Sequence, residues 1–186
     1  LRRQRQMCIR DRLGMSPEDL PLGIDGCSAP VYGIPLQNMA KAVALLADPK
    51  DLSESRKKVC NTIISAMMSH PVMVAGPGKF DTDLMTTAAG KVFSKGGAEG
   101  YQIIGVKPDV LKPGSPGLGI AIKIADGDAQ GRARAFISLL LLKALGVLSD
   151  QDLEGLSFTE KALVKNWRGL EVGKLQPAFQ IDELGI

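Results

Sequence analysis

Between Val92 and Ala144 the chain spells strand, glycine turn, strand, proline turn, strand and helix. Val92-Phe93-Ser94 is a short β-rich run leading into Lys95-Gly96-Gly97-Ala98-Glu99-Gly100, and Tyr101 to Val106 is a second run. Leu118 to Ile124 alternates, with Leu118, Ile120, Ile122 and Ile124 against Gly119, Ala121 and Lys123. Strand, turn, strand predicts a hairpin and hence antiparallel pairing. Asp126-Gly127-Asp128 ends the last strand and caps a helix predicted over 129–144. That helix is polar at its start (Gln130, Arg132, Arg134) and apolar later, so its C-terminal part should be buried.

Upstream, residues 22–36 are punctuated by Gly23, Gly26, Pro30, Gly33 and Pro35, which excludes a helix and predicts strand, tight turn, then strand or loop. Leu36, Met39, Ala40, Val43, Ala44 and Ala47 recur at helical spacing up to Asp48-Pro49. A second helix, capped by Asp51 or Ser53, puts Val59, Ile63, Ala66, Met67 and His70 on one side and ends at Pro71. Residues 73–78 read as a turn-rich connector, and Phe80-Asp81-Thr82-Asp83 opens a short helix to about Ala88, with Asp81 and Asp83 as helix caps. Ser149 to Asp152 starts another short helix, 158–164 is expected to be helical and 170–179 extended. Helices first, then antiparallel strands, then a helix packing back on them make an α+β architecture.

At 186 residues the chain fits one domain, and with 45% hydrophobic and 23% charged residues it can bury a real core. The longest apolar run, residues 135–148, is interrupted by Lys143 and is too short to span a bilayer, so no membrane association is expected. The net charge of +3 is unevenly spread. Arg2, Arg3, Arg5, Arg10 and Arg12 stand against Asp11 alone, so the first twelve residues hold +4 and the rest sums to −1. Nucleic-acid binding would rest wholly on that leader, and none is expected. Residues 1–12 show no periodicity and no secretory pattern; they resemble the peptide of a translated sequencing adapter. They are set apart as a non-native leader, with 13–186 as the domain. Beyond Cys8, two cysteines make no disulfide framework, and the cytoplasm is the expected compartment.

Two constellations could carry chemistry. In Gly23-Ile24-Asp25-Gly26-Cys27-Ser28-Ala29-Pro30 a thiol sits on a glycine turn two residues after an acid. That pairing suits a metal ligand with a partner that orients bound water, although spacing alone favours a small buried cysteine filling a turn. In Lys95-Gly96-Gly97 a lysine ends a strand and glycines let a ligand approach the backbone. Such a lysine can shuttle protons or clamp an anion, and it can equally be a solvated turn lysine. His70 and Cys60 read as structural, Trp167 as a lone anchor, and Asp126 to Asp128 as a turn and helix cap.

Five segments in order resemble the type II asparaginases of the rhizobial kind. They are Asp25-Gly26-Cys27-Ser28-Ala29-Pro30, Gly33-Ile34-Pro35-Leu36, Gly78-Lys79-Phe80-Asp81-Thr82, Lys95-Gly96-Gly97-Ala98-Glu99-Gly100, and 118–124 with Asp126-Gly127. The resemblance implies a fold similar to serine β-lactamases and glutaminases. It implies hydrolysis of L-asparagine to aspartate and ammonia by serine–lysine pairs, with zinc held by two cysteines and a lysine. On that basis Lys95 is the catalytic lysine, Gly96 and Gly97 admit substrate, Cys27 is a zinc ligand, and Asp25 is a substrate or water partner. Ser55-Arg56-Lys57-Lys58 spells Ser-x-x-Lys, but after the Cys27 segment and on a polar helix face. The chain is accordingly expected to be a C-terminal fragment lacking the N-terminal half of the domain. Alone it is expected to be inactive and without tight zinc; at full length it is expected to be a homodimer. A non-catalytic α+β binding module and a penicillin-recognising serine hydrolase remain the alternatives.

Overall fold

The computed structural model describes residues 13–129, 131–154, 156 and 163–178. Those residues form a mixed α+β fold built on a three-stranded antiparallel sheet of order β3-β4-β5. Its strands are β3 (Val92–Gly96), β4 (Tyr101–Val106) and β5 (Leu118–Lys123). Pairing runs from Val92↔Val106 to Gly96↔Gln102, and from Tyr101↔Lys123 to Val106↔Leu118. The β3–β4 turn closes through the Tyr101 N–H donating to the Ala98 carbonyl, with Glu99 and Gly100 both at positive φ, the conformation that matches the twist of a hairpin.

Ahead of the sheet stand a small hairpin, β1 (Leu22–Ile24) with β2 (Pro30–Tyr32), and four helices. These are α1 (Leu36–Ala47), α2 (Glu54–Ser69), α3 (Pro71–Ala75) and α4 (Phe80–Thr87). After the sheet come α5 (Arg132–Ala144), α6 (Asp150–Glu154) and a terminal hairpin, β6 (Leu163–Lys165) with β7 (Glu171–Lys174). Among the described residues no helix is long and apolar enough to cross a membrane.

The two sheet faces differ in kind. Val92, Ile104, Val106, Leu118 and Ile120 share one face with Phe80 and Leu84 of α4, Ala88 just after it, and Ala135, Leu139 and Leu142 of α5. Leu84 and Leu142 are fully buried there, each contributing about 2 kcal/mol. The other face carries Phe93 and Ile103 against Val43 and Ala47 of α1, Ile64 of α2 and Met85 of α4. Here two glycines leave room for close neighbours: a β-carbon on Gly119 would lie 2.0 Å from the Ala40 carbonyl oxygen, and one on Gly105 would lie 2.1 Å from the Phe93 ring. The absent side chains let α1 lie directly on β5.

Several expectations are corrected. The segment around Met73 opens with a helical turn, α3, because Pro71 occupies the first position of a helix, where its missing N–H is harmless. The long helix begins at Arg132, since the Asp128 carboxylate accepts from the N–H groups of Arg132, Ala133 and Arg134 and fixes the start there. Its burial is a stripe of Ala135, Ser138, Leu139 and Leu142 along the length, not a buried C-terminal end. In α2 the buried side is Cys60 and Ile64, one row over from the expected Val59 and Ile63, which are exposed. Ser53 sits at the N-cap of α2 without a side-chain capping bond. Leu163 and Val164 are strand, paired with Lys174 and Gly173. The rest of the helix expected over 158–164 lies outside the described residues, as does the leader.

Candidate active site

At the C-terminal end of β3 a cleft of about 390 Å³ opens, lined by Lys79, Asp81, Lys95, Gly96, Gly97 and Arg134 together with Val74, Ala75, Gly78, Phe80 and Gly131. Four pieces of chain meet there: the α3–α4 connection, the first turn of α4, the end of β3 and the start of α5. Three of the five residues singled out in the sequence, Lys95, Gly96 and Gly97, are therefore brought together.

Asp81 organises the cleft floor. It is 5% exposed, and its Oδ1 accepts from Ser94 Oγ at 2.6 Å and from Gln102 Nε2 at 2.7 Å. Its Oδ2 accepts from the Gly96 N–H at 2.7 Å. Gln102 Nε2 also donates to Ser94 Oγ at 2.8 Å, closing a buried triangle. Asp81 is thus a cross-link from α4 to β3 and β4, not the helix cap expected of it. Ser94, Gly96 and Gln102 share the sheet face that Val92 and Ile104 line.

Lys95 lies on the opposite side of the strand, is exposed, and turns its ammonium back to the Gly96 carbonyl. The two glycines make room for neighbours. A β-carbon on Gly96 would stand 2.6 Å from Arg134 Nη1, and one on Gly97 would stand 2.9 Å from the Tyr101 ring. Their N–H groups are engaged by Asp81 and by the Tyr101 carbonyl. Arg134 Nη1 donates to the carbonyls of Gly97 at 3.2 Å and Tyr101 at 3.4 Å, while its Nε is buried without a partner. The Tyr101 hydroxyl is likewise buried and unpaired, and burial raises its pKa above the ordinary tyrosine value.

Asp25 and Cys27 do not line this cleft. They occupy the β1–β2 turn, where Asp25 Oδ1 accepts from the N–H groups of Cys27 at 2.8 Å and Ala29 at 2.9 Å. The carboxylate staples the turn and leaves the Cys27 thiol exposed, so Cys27 does not fill a buried turn. Among the described residues no three of His, Cys, Asp and Glu gather where one ion could reach them. Cys27 and Asp25 by themselves do not make a zinc site. Ser55 bonds Ser53 on the exposed start of α2, and Lys57 pairs with Glu54, as suits a solvated helix face. Trp167, expected as an anchor, is 100% exposed between β6 and β7.

Sequence reasoning missed Arg134, Lys79 and the Asp81–Ser94–Gln102 network. Its one visible signal was polar Ser94 and Gln102 interrupting apolar strands.

A mixed α+β domain with a polar, cation-bearing cleft at the end of an edge strand is the class that this geometry defines. A family model described as L-asparaginase II matches residues 1–177, and the chain belongs to that family. No curated protein matches it.

Proposed function

We propose that the chain serves an asparaginase-type amidohydrolase, which converts L-asparagine and water to L-aspartate and ammonia. The family match over residues 1–177 carries this reading. The cleft that gathers Lys95, Gly96 and Gly97 supports it. In the proposed reaction the Lys95 side-chain nitrogen takes the proton of a serine hydroxyl as the serine oxygen attacks the amide carbon. The proton is returned to the departing nitrogen, and water then cleaves the ester to release aspartate. Gly96 and Gly97 keep the strand end bare enough for the substrate to lie alongside.

The serine of this scheme comes from the Ser-x-x-Lys segment that the family resemblance implies. Ser94, next to Lys95, is fully buried and donates to Asp81. Cys27 would be one zinc ligand and Asp25 its neighbour, and no step passes through that ion. A cytoplasmic homodimer completes the proposal.

The test is ammonia release from L-asparagine by the 186-residue chain, alone and joined to a family Ser-x-x-Lys segment. The joined protein is expected to release ammonia and to lose that activity on Lys95→Ala; the chain alone is expected to release none. Absence of ammonia from the joined protein overturns the reading. Nitrocefin turnover in its place would favour a penicillin-recognising hydrolase.

A further inference from the structure

We propose that the Asp25-Gly26 peptide in the β1–β2 turn is a site of spontaneous backbone modification, where the Asp25 side chain closes on the Gly26 nitrogen and reopens as isoaspartate. The inference concerns this turn alone and is independent of the proposed function.

Two places in the chain qualify by composition. Asp25-Gly26 and Asp126-Gly127 are its aspartate–glycine pairs, and no asparagine precedes a glycine. The glycine matters because a backbone nitrogen can reach the preceding side chain most readily when its own residue carries no β-carbon. Both aspartates are exposed to water. Their surroundings, however, make the two pairs unequal.

In the β1–β2 turn the Ser28 N–H donates to the Asp25 carbonyl at 3.0 Å, which puts Asp25 at the first turn position. Its carboxylate reaches forward past Gly26, since Oδ1 accepts from the N–H groups of Cys27 at 2.8 Å and Ala29 at 2.9 Å. The Gly26 N–H donates to no group among the described residues, and a β-carbon built on Gly26 would meet nothing within 4 Å. At the other pair, Asp126 Oδ1 accepts from a single N–H, that of Asp128. The Gly127 nitrogen is already committed, donating to the Ile124 carbonyl at 3.1 Å. Glu99 Oε2 crowds that glycine as well, 2.6 Å from where a β-carbon would stand.

Water is the sole co-reactant. The Gly26 nitrogen bonds to the Asp25 Cγ and gives up its proton. The Oδ2 oxygen leaves as water with that proton and the acid's own, closing a succinimide ring. Charge that develops on Oδ1 during the attack is met by two N–H groups already in place, the arrangement that stabilises an oxyanion. Oδ2 accepts from no group among the described residues, so nothing in the turn holds it back. Water then adds to either ring carbonyl. Where it adds to the main-chain carbonyl, the bond from that carbon to the Gly26 nitrogen breaks, freeing an α-carboxylate. The chain then runs through Cγ at unchanged mass, and Cys27 is shifted from the place that the Asp25 staple gives it.

Prolonged incubation of the folded 186-residue chain in heavy-oxygen water tests the assignment, because each ring opening leaves one labelled oxygen. Electron-transfer fragmentation of the digested chain then locates label and isoaspartate residue by residue. Both are expected to accumulate at Asp25 roughly tenfold faster than at Asp126, a preference that falls to parity when urea unfolds the chain. Gly26→Ala, for which the turn has room, is expected to slow the reaction at Asp25 by about tenfold. Equal rates at the two pairs in the folded chain, a faster reaction at Asp126, or no isoaspartate at Asp25 overturns the proposal. So does a preference for Asp25 that persists in urea, or an unchanged rate in Gly26→Ala.

Discussion

A carboxylate enclosed among neutral donors, as Asp81 is, holds its neighbours in place because each of them would otherwise lose a charged acceptor inside the protein. Asp81→Ala leaves Ser94 Oγ, Gln102 Nε2 and the Gly96 N–H short of their acceptor. It is expected to lower stability by about 3 kcal/mol or more, read from the urea midpoint, with Asp81→Asn milder because it keeps one oxygen. Beyond polar Ser94 and Gln102 breaking apolar strands, none of this was legible from residue order. Asp81 stands where a helix begins, and a helix cap is what such an aspartate usually is; its reach to a strand thirteen residues on depends on how α4 lies against β3. Asp152 shows the local counterpart. The Ser149 N–H and hydroxyl both donate to it and hold its carboxyl below the ordinary value of 3.8. The stability it contributes is full above 3.8 and is lost as pH falls through the lowered folded value. An NMR titration should find the carboxyl acidic, and Ser149→Ala should move it back toward 3.8.

At the level of elements, periodicity located most of the framework and failed where two solutions were equally apolar. The β4–β5 hairpin and α1 follow their patterns because one face of each is distinctly more apolar than the other. Helix α2 offers two adjacent rows, Val59 with Ile63 and Cys60 with Ile64, and only the position of Phe93 and Met85 decides between them. Glycine carries the information that periodicity lacks. Gly119→Ala would drive a methyl group into the Ala40 carbonyl and the Ala44 nitrogen, at 2.0 and 2.4 Å. Since backbone cannot step aside as a side chain can, thermal unfolding should report a loss of about 2–3 kcal/mol or more. The cleft was half visible for a similar reason: Lys95-Gly96-Gly97 is contiguous, whereas Lys79 and Arg134 arrive from α4's approach and from α5.

Among the described residues, the large apolar side chains left exposed lie on the two small hairpins and on α1, α2 and α3, where Met73 is the most exposed. Ile24 is 78% exposed, Val172 61% and Trp167 100%. Trp167 is the chain's single tryptophan, so its fluorescence reports on β6–β7 alone. Emission of a fully hydrated indole, quenched completely by iodide, is expected for dilute protein; a blue-shifted, protected signal would mean that the hairpin is covered in solution. The last strand of the central sheet has the opposite character, branched side chains toward α5 and, at Gly119, bare backbone toward α1. Were β5 to slide by one residue against β4, Leu118, Ile120 and Ile122 would be thrust into the backbone of α1, while glycine and alanine would face the cavity left before α5. Both errors would be punished at once, so the sheet proofreads its own alignment, and the strand end that carries Lys95 is delivered to the same spot each time the chain folds.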